Sequence, residues 1–155
     1  MPTAWRIVKR KHARDAFSGE GSRLYGGRWN NPGTTVIYTS TSQSLAALEM
    51  LVHLELADLL FHCVVFEITF ETALVTNLDS ALPKSWDADP IPSKCRALGD
   101  SWARDRSSTI LRLPSTLIHT EHNYILNPRH PKFSKIRIGK QAPFRVPARL
   151  LHKLK

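Results

Sequence analysis

Cysteine is scarce in this chain, with only Cys63 and Cys95 among 155 residues. Two thiols cannot build the multi-bridge framework of a small secreted domain, so a reducing compartment, the cytoplasm, is the simplest setting. No apolar run reaches the about 18 residues that a membrane-spanning helix needs. The first 17 residues carry charges with no apolar core behind them, so they do not read as a secretory signal. The glycines form neither a Walker A loop nor a dinucleotide fingerprint, because Gly19-Glu-Gly21 is followed at position 24 by Leu. There is no Gly-x-Ser-x-Gly elbow, which argues against a Ser-His-Asp hydrolase. Internal repeats and low-complexity tracts are also missing, which excludes solenoids and arrays.

Acidic residues are missing from both ends. Residues 1–14 hold five Lys/Arg and no acid, and residues 129–155 hold nine and no acid. The middle has eight Lys/Arg against thirteen Asp/Glu, so the net charge of +9 belongs to the ends. A one-signed surface can recruit nucleic acid, an acidic protein or a phosphate-rich ligand. At 42% hydrophobic and 23% charged residues the chain is too apolar for a disordered segment. Its length fits a single domain over 1–155, with the basic stretch 129–155 part of it.

Val64, Phe66, Ile68 and Phe70 alternate with Cys63, Val65, Glu67 and Thr69, the pattern of a strand with one strongly apolar face. Residues 35–38 follow the turn signal Asn31-Pro-Gly33 and read as a second strand. Shorter strands fit 5–8, 109–113 and 135–138. Residues 42–60 lack Gly and Pro and are rich in Leu and Ala, a helix capped by Thr41 or Ser42. Residues 93–106 form a second helix pattern with Cys95, Leu98 and Trp102 on one face, interrupted by Gly99. Three prolines make 82–92 an irregular connection. Short strands mixed with helices give an α+β domain.

Glu49 is the most informative position. Leu45, Leu48, Val52 and Leu56 form an apolar helical stripe, and Glu49 falls within it. A helix apolar nearly all round is expected to be buried, where a carboxylate is costly unless it is paired or does chemistry. A structural ion pair explains it as well as a catalytic role does. In Ser22-Arg-Leu-Tyr-Gly-Gly-Arg-Trp-Asn-Asn-Pro-Gly33, two glycines let the backbone bend before Arg28, whose planar fork suits phosphate or carboxylate. A plain Gly-rich hairpin with a surface arginine fits the spacing equally. Tyr38 ends its strand as a core aromatic or a ring that meets a ligand. The stretch 113–128 gathers Ser115, Asn123 and Asn127, uncharged groups able to position a ligand. His119, His122 and His130 lack the His-Glu-x-x-His spacing, and no metal site is expected.

Taken together, Ser18 to Gly33, Val-Ile-Tyr-Thr-Ser at 36–40 and Leu-Glu-Met-Leu-Val-His-Leu at 48–54 resemble the RES domain family. Ala-Leu-Gly-Asp-Ser-Trp at 97–102, Leu-Pro-Ser at 113–115, Glu-His-Asn-Tyr-Ile-Leu-Asn-Pro at 121–128 and Pro-Phe-Arg at 143–145 continue the likeness in order. The family's eponymous Arg, Glu and Ser fall on Arg28, Glu49 and Ser115.

The resemblance implies a toxin of a bacterial type II toxin–antitoxin system, paired with an Xre-type helix-turn-helix antitoxin. It implies an ADP-ribosyltransferase-like α+β fold, a split mixed sheet with flanking helices. The implied activity depletes NAD by cleaving the nicotinamide–ribose bond, with water or inorganic phosphate as acceptor; some members modify a protein instead. NAD is then a substrate, and no prosthetic group is implied. Arg28, Tyr38, Glu49 and Ser115 become the catalytic set. Arg28, Tyr38 and Arg6 become NAD contacts, and Asn123 joins them as one of the ligand-positioning amides. In these roles Glu49 stabilises the cationic ribose, Arg28 and Arg6 bind pyrophosphate, Tyr38 stacks on nicotinamide, and Ser115 hydrogen-bonds the substrate. A basic nucleic-acid-binding or nuclease toxin is the competing class, and no recognition motif supports it.

Overall fold

The strand pattern at 63–70 is realised as β3 (Cys63–Thr69), which pairs antiparallel with β1 (Thr3–Lys9) from Thr3–Thr69 to Lys9–Cys63. The computed structural model describes residues 1–53 and 62–154. On the other side of the sheet β2 (Ile37–Ser40) lies against β6 (His122–Leu126), and β6 against β5 (Ile110–Pro114), all antiparallel. A short β4 (Val75–Asn77) runs parallel to β5. Two-residue strands β7 (Arg137–Ile138) and β8 (Ala142–Pro143) edge β3. The order is β4-β5-β6-β2-β1-β3-β7, with β8 also on β3.

One junction in this sheet is weak. β1 and β2 share a single register pair, Trp5–Ser40, so two well-paired halves meet at a narrow seam. The mixed sheet with flanking helices is the expected α+β architecture, and its strands form one sheet that narrows at this seam.

Four helices complete the fold: α1 (Glu20–Tyr25), α2 (Gln43–His53), α3 (Ser93–Asp105) and α4 (Ala148–Leu154). Ser42 caps α2, its Oγ accepting the Leu45 amide at 3.0 Å. The continuation of this helix expected over 54–60, with Leu56, lies outside the described residues. The stripe assignment needs correction. Leu45 is buried, but Leu48 and Val52 are 39% and 60% exposed. The helix instead turns Ala46, Ala47 and Met50 onto Trp5, Ile7, Cys63 and Val65. Small alanines let the helix sit close to β1 and β3, and the bulkier Leu48–Val52 row is left outward. Glu49 is therefore half-buried rather than enclosed.

The expectation of one apolar face on β3 also changes. Val64 and Phe66 pack with Val8 and Ala16 on one side, while Cys63 and Val65 pack under α2 on the other. A sheet covered on both faces needs no polar alternation. β2 begins two residues later than expected, at Ile37. β6 was not expected as a strand, because its first residues, His122 and Asn123, are polar. The elements α1, β4, β8 and α4 are too short to register as periodicity. No helix among the described residues is long and apolar enough to cross a membrane.

α3 packs Cys95, Trp102 and Ala103 against Trp29, Leu111, Leu113 and Ile125. Gly99 explains itself here: a Cβ at that position would lie 1.6 Å from the carbonyl oxygen of Trp29. Helix propensity alone would favour alanine by about 1 kcal/mol. The clash reverses that sign, and Gly99→Ala is expected to lower stability by about 1–3 kcal/mol in urea unfolding. A stabilised variant would mean that the backbone around Trp29 yields freely.

Candidate active site

Side chains two apart on a strand share a face, so Tyr38 and Ser40 of β2 point the same way. At the Ser40 end, Ser40 Oγ donates to Asn123 Oδ1 at 2.8 Å. Asn123 Nδ2 donates to Glu49 Oε1 at 2.9 Å, and Ser115 Oγ donates to the same oxygen at 2.9 Å. The Ser115 hydroxyl also accepts the amides of Leu117 and Ile118, at 3.0 and 3.3 Å. One carboxylate oxygen is thus fixed by two neutral donors. No Lys, Arg or His forms an ion pair with Glu49 among the described residues.

At the Tyr38 end sits the glycine–arginine loop. Gly26 takes a left-handed φ of 72° at the end of α1, open to glycine at little cost. Gly27 lies on the tyrosine: a Cβ there would be 2.7 Å from Tyr38 Oη. Tyr38 Oη donates to Asn30 Oδ1 at 2.6 Å and accepts the Trp29 amide at 3.1 Å. Asn30 is fully buried, and its Nδ2 donates to the carbonyls of Ser22, Asn31 and Thr34. Arg96 Nε donates to the Gly27 carbonyl. Arg28 Nη1 donates to the carbonyls of Trp86 and Ala88, at 3.0 and 2.9 Å. The irregular connection therefore has a task, which is to hold Arg28. Trp86 also lies against the His119 ring with centroids 5.2 Å apart, and Asp87 pairs with His119 at 3.6 Å. His119 is four residues past Ser115, so the connection that holds Arg28 touches the loop after Ser115.

The structure brings Glu49, Ser115 and Asn123 into one bonded group and uses Tyr38 to brace the loop of Arg28. Two of these side chains are engaged within the protein. Ser115 is fully buried, and its hydroxyl is engaged by Glu49 and the amides of Leu117 and Ile118. Asn123, expected among the NAD contacts, has its amide committed to Glu49 and Ser40. Arg6 is not part of this group. It lies on β1 with Ala4 and Val8, on the face opposite Trp5 and Ile7. Its Nε donates to the Ala16 carbonyl at 2.6 Å and its Nη1 to the Tyr38 carbonyl at 2.8 Å, across the seam. Burial holds its guanidinium down at about 10. The three histidines go to separate partners: His119 to Asp87, His122 to Asp79 and Arg112, His130 to Thr109.

Sequence reasoning missed Ser40, Asn30 and Trp86. Period-two spacing from Tyr38 was the available signal for Ser40. Nothing local marks Asn30 or Trp86, whose partners lie on other segments.

Burial raises the Tyr38 hydroxyl well above the usual tyrosine value, against the opposing pull of the Trp29 amide. The folded chain keeps a proton that the unfolded chain gives up near pH 10. The stability this lends is intact below about pH 10 and is lost as pH climbs above it. The absorbance difference between wild type and Tyr38→Phe should show no phenolate until the chain unfolds. A phenolate signal near pH 10 from folded protein would mean that the hydroxyl is open to water.

Comparison with known proteins gives this geometry its context. The RES domain model matches residues 3–147. A Yersinia enterocolitica protein named Toxin Res is 40% identical over 130 residues, covering 83% of this chain and 86% of the relative. A Photorhabdus laumondii Toxin Res is 38% identical, covering 95% and 96%. A Sphingobium protein named Prs ADP-ribosylating toxin is 32% identical over 96% of both chains. A chain in the crystal structure of the M. tuberculosis MbcT–MbcA toxin–antitoxin complex superposes with a TM-score of 0.68 at 20% identity, covering 98% of this chain and 87% of that one. That likeness is one of fold. The match over nearly the whole chain and the identity of these relatives establish that the protein belongs to the RES domain family.

Proposed function

We propose that this protein is the toxin of a toxin–antitoxin pair and that it acts in the cytoplasm by cleaving the nicotinamide–ribose bond of NAD. The observation that carries the reading is the Glu49 carboxylate, held by two neutral donors and paired with no cation among the described residues. In the reaction the C1′–N bond breaks, and nicotinamide leaves with the electron pair. Positive charge develops on the ribose ring. A carboxylate fixed beside it stabilises that charge without reorganising. Both donors bind Oε1, which leaves Oε2 for a ribose hydroxyl. The acceptor, water or inorganic phosphate, then bonds to C1′ and gives up its proton.

Arg28 is bonded among the described residues through Nη1 alone, which leaves Nε and Nη2 to grip the pyrophosphate in the paired geometry guanidinium favours. The half-buried ring of Tyr38 would meet nicotinamide. Arg6 supports the site from behind through the Tyr38 carbonyl. Transfer of ADP-ribose to a protein is the second reading, favoured by the likeness to the Prs ADP-ribosylating toxin.

The test is to incubate antitoxin-free protein with NAD, with and without phosphate, and identify products by mass. Nicotinamide with ADP-ribose means hydrolysis; ADP-ribose-1″-phosphate only with phosphate means phosphorolysis. Glu49→Ala and Arg28→Ala should each lower the rate by about 100-fold or more, as losing a transition-state electrostatic contact does. Intact NAD in all conditions overturns both reactions and directs the test to labelled NAD in a lysate.

The partner proposed is an Xre-type antitoxin. The fold draws the two basic ends together: the Phe144 amide bonds the Cys63 carbonyl, and Cys63 faces Lys9 in register. Arg10 and Arg145 then line an open groove of about 650 Å³ floored by Pro143, Phe144, Val146 and Pro147. An acidic antitoxin surface fits this groove. Affinity should fall at least about tenfold between low salt and several times the physiological ionic strength, because exposed charges are screened. Equal affinity in both would rule out the groove as the electrostatic dock.

A further inference from the structure

Behind the candidate site, on the far face of the sheet, three charged or titratable side chains close on one another. His122 Nε2 lies 3.1 and 3.0 Å from the two carboxylate oxygens of Asp79. Its Nδ1 lies 3.0 Å from Arg112 Nη2, and Arg112 Nη1 reaches Asp79 at 3.2 Å. A carboxylate only accepts and a guanidinium only donates. The geometry suits a ring that donates from Nε2 to Asp79 and accepts at Nδ1 from Arg112. Asp79 is itself anchored: its amide donates to Asn77 Oδ1, and the preceding Leu78 amide donates to the Arg112 carbonyl.

The position of His122 gives the group meaning. It precedes Asn123 in β6 and pairs with Pro114, the residue before Ser115. Its carbonyl accepts the amide of Thr41, at the entry to α2. The Ser115 amide donates to the carbonyl of Glu121, its other neighbour. All three segments that fix Glu49 meet at this one residue. Strand alternation turns the His122 side chain away from the face of Asn123, so it cannot touch a substrate bound at Glu49.

We infer that the Asp79–His122–Arg112 group positions the catalytic carboxylate, locking the ends of β5 and β6 so that Ser115 and Asn123 converge on one oxygen of Glu49. His122 is then a positioning residue, acting through Asn123 and Ser115. The inference rests on the NAD-cleaving reading for its kinetic test, and a second readout is independent of that reading.

The experiment uses the full chain and the variants His122→Ala, His122→Gln, Asp79→Asn, Asn123→Ala and the double His122→Ala/Asn123→Ala. His122→Ala should lower kcat about tenfold while KM for NAD stays within about twofold, the pattern of a contact felt mainly in the transition state. His122→Gln keeps a donor toward Asp79 and should recover part of the loss. In the Asn123→Ala background the His122→Ala effect should shrink, because coupled residues are not additive. The independent readout is NMR of the Asn123 side-chain amide and the Glu49 carboxyl carbon, which should both shift in His122→Ala and Asp79→Asn. If His122→Ala fails to fold, Asp79→Asn, a change at a half-exposed carboxylate, carries the same readouts. Unshifted Asn123 and Glu49 signals overturn the inference, as does a His122→Ala loss that is fully additive with Asn123→Ala. Intact NAD with wild-type protein would defeat the NAD reading alone, since the NMR comparison still decides whether His122 positions Glu49.

Discussion

The two hydrogen bonds accepted by one oxygen of Glu49 do more than orient a side chain. Backbone pairing joins the halves of the sheet at a single register pair. α2 rides on the β1–β3 half through Ala46 and Met50, while Ser115 and Asn123 belong to the β5–β6 half. The carboxylate therefore bridges a seam that the strands barely close. Arg6 makes the companion contact from the opposite face, reaching the Tyr38 carbonyl. Polar side-chain contacts from both faces thus reinforce the junction where backbone pairing is thinnest.

The loop of Arg28 shows how a flexible sequence is made rigid. Its glycines permit the bend and the close approach to Tyr38, but they also favour disorder. Rigidity comes from Asn30, whose buried amide binds three carbonyls, and from Tyr38, whose hydroxyl ties Asn30 to the Trp29 amide. Trp86 and Ala88 then fix Arg28 through one nitrogen. Gly99 belongs to the same construction, since α3 must approach the Trp29 backbone closely.

Periodicity disclosed the long elements, and the helix start at Ser42 was legible from its capping residue. Glu49 stood out because a carboxylate among leucines is anomalous, although the anomaly was misplaced. Leu48 and Val52 face outward, and the true packing face is the alanine side, whose small residues carry little weight in a hydrophobic pattern. β6 was hidden for the opposite reason. His122 and Asn123 are polar because one belongs to a charged cluster and the other to the site. The bonds of Asn30, Trp86 and Arg6 join segments far apart in sequence, and no local rule reports such contacts. Family motifs marked Arg28, Tyr38, Glu49 and Ser115 as a set, yet only coordinates separate the carboxylate from the residues that hold it.

The choice of neutral donors for Glu49 follows from the charge that the proposed reaction develops. An arginine bonded to the same carboxylate would hold it ionised, and would also cancel the field that a cationic ribose should feel. Ser115 and Asn123 satisfy the oxygen without adding positive charge. Arg28 is kept on a separate loop by backbone carbonyls, dipoles that steady a guanidinium while leaving its net charge for an anion. In the proposed reaction a cation-stabilising carboxylate and an anion-binding arginine must serve one substrate without neutralising each other. Holding each by its own partners, Glu49 by amide and hydroxyl donors and Arg28 by carbonyl acceptors, accomplishes that separation.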